Sequence, residues 1–135
     1  MVSTILEALD LFREHLEKRL GDKTINILPL NLGRHYLITT ESGMRYYLLY
    51  KRNFFMTFGL IFGKSGMGES INRDFLELAL KHEADNIAVV YEMGYIYTCP
   101  PKEWLHYAEQ NHTIREQYKG EVTYSIPITL LRRWR

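Results

Sequence analysis

Cysteine is almost missing from this sequence. Cys99 stands alone, which excludes an internal disulfide and a Cys-rich zinc site and fits a reducing, cytoplasmic setting. Long hydrophobic runs are missing too: no stretch approaches the roughly 18 apolar residues of a membrane span. The opening MVSTILEALD is acidic and amphipathic rather than signal-like, so no membrane association is expected. Nor does one sign of charge dominate. Seventeen Lys and Arg against sixteen Asp and Glu give a net charge of +1, so a polyanionic partner has to be argued from local clusters. There is no internal repeat and no low-complexity segment.

What is present is a chain of 135 residues, 46% apolar and 24% charged, which is the size and composition of one folded domain spanning residues 1–135. Ten tyrosines and the basic tail Leu131-Arg132-Arg133-Trp134-Arg135 stand out. Ile5, Leu9, Phe12, Leu16 and Leu20 recur at helical spacing, Thr4 and Glu7 have the spacing of a capping box, and Gly21-Asp22 supplies a stop. Pro29 restricts Ile25–Leu32 to a sheet edge. His35–Thr40 and Met44–Lys51 read as a hairpin joined by Glu41-Ser42-Gly43. A helix over Ile71–His82, capped by Ser70, leads to a central strand at Ile87–Tyr91. A strand at Tyr95–Cys99, a helix from Lys102 to Asn111 and a half-exposed strand at Val122–Ile126 complete the order. The expectation is an α/β domain with a mixed sheet of about five strands flanked by helices.

Phe54–Phe62, FFMTFGLIF, fits neither a helical nor a strand period. It belongs either in the monomer core or under a second subunit, and the latter reading predicts a homodimer. The glycine-rich run from Gly63 to Ser70 has the wrong spacing for a nucleotide-binding P-loop, though Lys64 remains suited to a backbone phosphate. The histidines lack metal-ligand spacing, with His15 on a solvated helix and His82 on an apolar face, and Cys99 reads as a buried structural thiol.

Metal-assisted phosphodiester hydrolysis calls for two acids on Mg²⁺ and a lysine near the attacked phosphate. Lys51, at a strand end, suits the lysine; the same-face position two residues earlier is Leu49 rather than an acid. The carboxylates on offer are Glu41 in the hairpin turn, Glu69 at the next helix start, and Glu7 or Glu14 on the first helix. Each also has an ordinary structural reading: a cap for Glu7, a pair with Lys18 for Glu14, a helix dipole for Glu69 and solvent for Lys51.

The order helix, hairpin, lysine-ended strand, loop, helix, central strand, neighbouring strand, with Tyr46-Tyr47-Leu48-Leu49-Tyr50-Lys51 on the third element, resembles the restriction-endonuclease-like PD-(D/E)XK superfamily. Archaeal Holliday junction resolvases belong to it. The resemblance covers roughly Ser3 to Cys99. It implies a metal site of a first-helix Glu, a hairpin acid and an acid-x-Lys strand, here read as Glu7, Glu41 and Leu49-Tyr50-Lys51, with Glu69 or Asp74 as a displaced acid. Either an altered Mg²⁺ site built on Lys51, Glu69 and Glu41 persists, or cleavage is lost and binding remains. Arg52, Lys64, Arg73, Arg132 and Arg133 are the expected contacts to nucleic acid, DNA before RNA, with Tyr46, Tyr47, Tyr50 or Tyr97 available to stack on bases. The competing expectation is a non-catalytic interaction module that docks through Phe54–Phe62.

Overall fold

Helix α1 (Ile5–Arg19) starts where Thr4, in extended backbone, accepts the Glu7 amide N–H at 3.1 Å. Glu7 answers by accepting from the Ser3 amide at 2.8 Å, so the reciprocal half of the box falls one residue early. Ala8, Leu9, Phe12 and Leu16 form the buried stripe of the helix, and Glu14 pairs with Lys18 at 2.7 Å. The computed structural model describes residues 1–52, 56–57, 67–116 and 118–135.

Strands β1 (Thr24–Leu30), β2 (His35–Thr40) and β3 (Arg45–Lys51) form an antiparallel meander. Pro29 lies on β1 at the sheet edge, where the missing N–H costs no ladder bond. Gly43 closes the β2–β3 turn at φ 87°, a conformation that favours glycine. Asp22 braces that turn by accepting from the hydroxyls of Thr40 at 2.6 Å and Ser42 at 2.5 Å.

The chain then passes through β4 (Met56–Thr57) and β5 (Met67–Asn72) into α2 (Arg73–Lys81) and returns as β6 (Asn86–Tyr91), parallel to β3. Strand β7 (Ile96–Cys99) is antiparallel to β6, and the short β10 (Arg132–Arg133) is antiparallel to β7. The resulting six-stranded mixed sheet has the order β1-β2-β3-β6-β7-β10. A second, antiparallel sheet of order β4-β5-β9-β8 is completed by β8 (Ile114–Glu116) and β9 (Val122–Pro127), which follow helix α3 (Pro101–Gln110).

Alternation along the strands sends side chains into two cores. Ile38, Tyr46, Leu48, Ala88, Val90 and Ile96 meet α1 on one face. Leu37, Tyr47, Ile87, Val89, Tyr91 and Tyr97 meet Phe75 and Ala79 of α2, Trp104 of α3 and Ile126 of the second sheet on the other. Ile87 through Tyr91 are all buried, as the unbroken apolar run requires of a strand covered on both sides. Each aliphatic side chain so buried contributes about 1.5–3 kcal/mol.

The α/β class and mixed sheet match the sequence reading. The sheet has six strands rather than five because Arg132–Arg133 adds a strand to its edge. Glu69 and Ser70 lie within β5, not at a helix start: Ile71 is paired with Tyr124 of β9, and Asn72 caps α2 by accepting the Phe75 amide at 2.8 Å. The five-strand reading has no sight of β5 because its partner lies more than fifty residues away in sequence. The dimer expectation rests on Phe54–Phe62, which apart from the β4 backbone lies outside the described residues, as does Lys64. Among the described residues no helix is long and apolar enough to cross a membrane.

Candidate functional site

Lys51 and Tyr91 end the two parallel strands β3 and β6 and are register partners, so both side chains leave the sheet together on the face away from α1. Strand β5 lies above them and lowers Glu69 between the two. Its carboxylate is almost fully buried, 1% exposed, against 28% for the Lys51 side chain. Glu69 Oε1 accepts from Lys51 Nζ and from the Ser70 amide, the latter at 2.9 Å, while Oε2 accepts from the Tyr91 hydroxyl at 2.7 Å. Lys51 Nζ also donates to the Ser70 carbonyl. Around this pair, Ser70 Oγ and Ser125 Oγ are 2.5 Å apart, and the Thr113 hydroxyl donates to the Ser125 carbonyl at 2.5 Å. Burial, and after it the Glu69 charge, raises the Tyr91 hydroxyl well above the ordinary phenol range, so it stays protonated and donates.

Sequence reasoning named Lys51 and Glu69 as partners, and the fold brings them into contact. It missed Tyr91, whose only signal is a hydroxyl ending an otherwise aliphatic run. The other two carboxylates lie elsewhere. Glu41 sits in the β2–β3 turn, at the far end of β3: from Arg45 to Lys51 the strand advances about 20 Å at about 3.3 Å per residue. Glu7 is on α1, across the sheet, exposed, and held by Ser3, whose amide and hydroxyl lower its carboxyl below the usual range. Asp74 is exposed in the first turn of α2 and lines a cleft of about 650 Å³ with Arg34, His35 and Lys81.

This geometry does not fit Mg²⁺. A hard cation needs open carboxylate oxygens. Both oxygens of Glu69 already accept hydrogen bonds, and one faces an ammonium where a cation would sit. Among the described residues no three His, Cys, Asp or Glu side chains converge to hold a metal. What the arrangement does is bind the two sheets together through a fully partnered buried charge.

The basic residues divide between the two faces. Arg52 is exposed just past β3, and Arg73 is exposed on α2, 3.8 Å from Glu77. Arg133 lies over the Tyr95 ring, 4.9 Å from its centroid. Arg132 points to the α1 face, where a cleft of about 860 Å³ is lined by His15, Arg19, Leu20, Arg132, Trp134 and Arg135. His15 is therefore not simply solvated: its ring stacks on Trp134 at 5.8 Å, and burial, then Arg19 and Arg135, lowers its pKa. Of the tyrosines proposed to stack on bases, Tyr46, Tyr47 and Tyr97 are buried, and Tyr50 donates to the Val2 carbonyl at 2.8 Å. His35 is half-buried, its Nδ1 3.3 Å from the Tyr47 hydroxyl, and burial with the Arg34 charge pushes it down to about 4. Burial, with the Glu103 charge, pushes the Cys99 thiol up to about 12, consistent with a structural rather than nucleophilic role. No family model, curated protein or solved structure matches the chain, and its chemistry is that of the geometry just described.

Proposed function

We propose that this chain is a nucleic-acid-binding domain of nuclease descent that binds DNA without cutting it. The reading is carried by the pair Lys51–Glu69: a lysine at the end of the third strand with an acid beside it, in the element order that resembles the PD-(D/E)XK core, but with the acid captive. Glu69 also holds Tyr91 and the Ser70 amide, so freeing it for a metal would take an acceptor from the Lys51 ammonium, the Ser70 amide and the buried Tyr91 hydroxyl together. That Glu41 and Glu7 lie far from Glu69 supports the same reading, since a two-acid mechanism needs two carboxylates beside one metal.

The test uses labelled duplex, branched and single-stranded DNA with Mg²⁺ or Mn²⁺ at two salt concentrations. The expected result is binding that weakens steeply with salt and no cleavage above that of a Lys51→Ala control. Divalent-dependent cleavage that disappears in Lys51→Ala refutes the loss of catalysis, and absence of salt-sensitive binding refutes the function itself.

A further inference from the structure

The cationic cleft on the α1 face has a composition that the fold alone does not require. Three arginines and a histidine line it, and no acidic side chain does. Arg19, in the last turn of α1, has an ordinary reason to be there, because a cation complements the helix dipole. Arg132 comes from β10 and Arg135 from the residues after it, and among the described residues none of the three arginines makes a side-chain ion pair. Glu14, whose carboxyl is lowered first by Lys18 and only in lesser part by Arg135, is engaged by Lys18 at 2.7 Å.

The cleft is also built on a firm base. The Trp134 indole lies nearly parallel to Phe12, with centroids 5.7 Å and planes 15° apart, and meets Tyr46 edge-on at 5.5 Å. The backbone beneath is fixed to the sheet, with the Trp134 amide donating to the Ile96 carbonyl at 2.8 Å and the Ile96 amide donating to the Arg135 carbonyl at 3.0 Å. The three arginines therefore line a cleft together with a firmly packed aromatic ring, the combination that favours bidentate contacts to phosphate beside a planar surface. Its volume is within the range of small-ligand sites and sufficient for a short stretch of strand.

We infer that consecutive phosphates of a nucleic-acid strand dock in this cleft, on Arg19, Arg132 and Arg135 with Trp134 as the floor, on the sheet face opposite Lys51 and Glu69. The inference rests on the nucleic-acid-binding reading and adds the surface. It also accounts for binding without cutting, since a strand held there is separated from the Lys51–Glu69 pair by the thickness of the sheet and its side chains.

Fluorescence anisotropy with labelled oligonucleotides tests the placement, comparing wild type with Arg132→Ala/Arg135→Ala and, as a control on the α2 and α3 side, with Lys81→Ala/Lys102→Ala. The first pair is expected to weaken binding at least about tenfold and to reduce the salt slope by about two, one for each phosphate that an arginine no longer neutralises. The second pair is expected to stay within about twofold. All four positions are exposed, and circular dichroism checks that the variants fold. As a measurement free of substitution, the Trp134 indole N–H resonance of the wild type shifts on adding oligonucleotide. If wild type binds while the cleft variant binds equally well, the inference falls and the functional reading stands. If a mononucleotide or inorganic phosphate competes as well as an oligonucleotide of equal phosphate concentration, the cleft is an anion site and not a strand site, which also overturns it. If wild type shows no salt-sensitive binding, both readings fall.

Discussion

Glu69 is the side chain on which most of the polar structure converges, and its removal separates two effects. Glu69→Ala removes an acceptor from the partly exposed Lys51 ammonium and from the buried Tyr91 hydroxyl, so a loss of about 1–3 kcal/mol is expected in urea unfolding. Lys51→Met/Glu69→Leu removes both charges and is expected to be more stable than Glu69→Ala; a double variant no better than the single one contradicts this account. His35 gives a second test. Its folded pKa of about 4 lies below the ordinary 6.5, so between those values the unfolded chain binds more protons and stability rises with pH. The urea midpoint is expected to fall between pH 7 and pH 5, and His35→Gln to flatten that fall, leaving the smaller contribution of the same sign from His15. At this scale the sequence is partly legible. Lys51 and Glu69 are visible as a chemical pair, whereas Tyr91 and His15 take their roles from partners that only the tertiary arrangement supplies.

Elements with local signals are read easily from the chain. The apolar stripe of α1, the Glu41–Gly43 turn, the aliphatic run of β6 and Pro101 in the first turn of α3 are all short-range patterns. The start of α2 is harder because Ser70 and Asn72 are both good caps, and only the pairing of β5 with β9 decides in favour of Asn72. Asn72→Ala is expected to cost about 1 kcal/mol, measured by denaturant titration, while Ser70→Ala leaves α2 capped and acts only through its 2.5 Å contact with Ser125. A larger effect on helix content from Ser70→Ala than from Asn72→Ala would contradict the assignment. Strand β10 illustrates what propensity hides. Arg132–Arg133 has no strand signature, and it is held in the sheet by Trp134 packing on Phe12 and Tyr46.

Across the whole molecule, side-chain parity on the six-stranded sheet sorts the candidate residues. Lys51, Glu69 and Tyr91 lie on the face covered by α2 and α3, while Arg132 and Trp134 lie on the face covered by α1. A one-dimensional reading groups residues by chemistry and cannot see this partition, because it is set by which strand each residue joins and in which register. The cationic cleft at the β10 edge and the Lys51–Glu69 pair therefore lie on opposite faces, and the binding comparison of variants on each face separates them.

The β3–β6 pairing has a kinetic corollary. Every other ladder described in the large sheet is antiparallel, but this one joins residues forty positions apart and requires the intervening β5 and α2 to be carried over the sheet first. The meander of β1, β2 and β3 can zip early from its turns, as can the β6–β7 hairpin. Joining the two halves is an expensive loop closure, and it is expected to set the folding rate. Until it happens, Tyr47, Leu49, Val89 and Tyr91 lie on unmated edges, the state in which the chain is most exposed to association with its own copies.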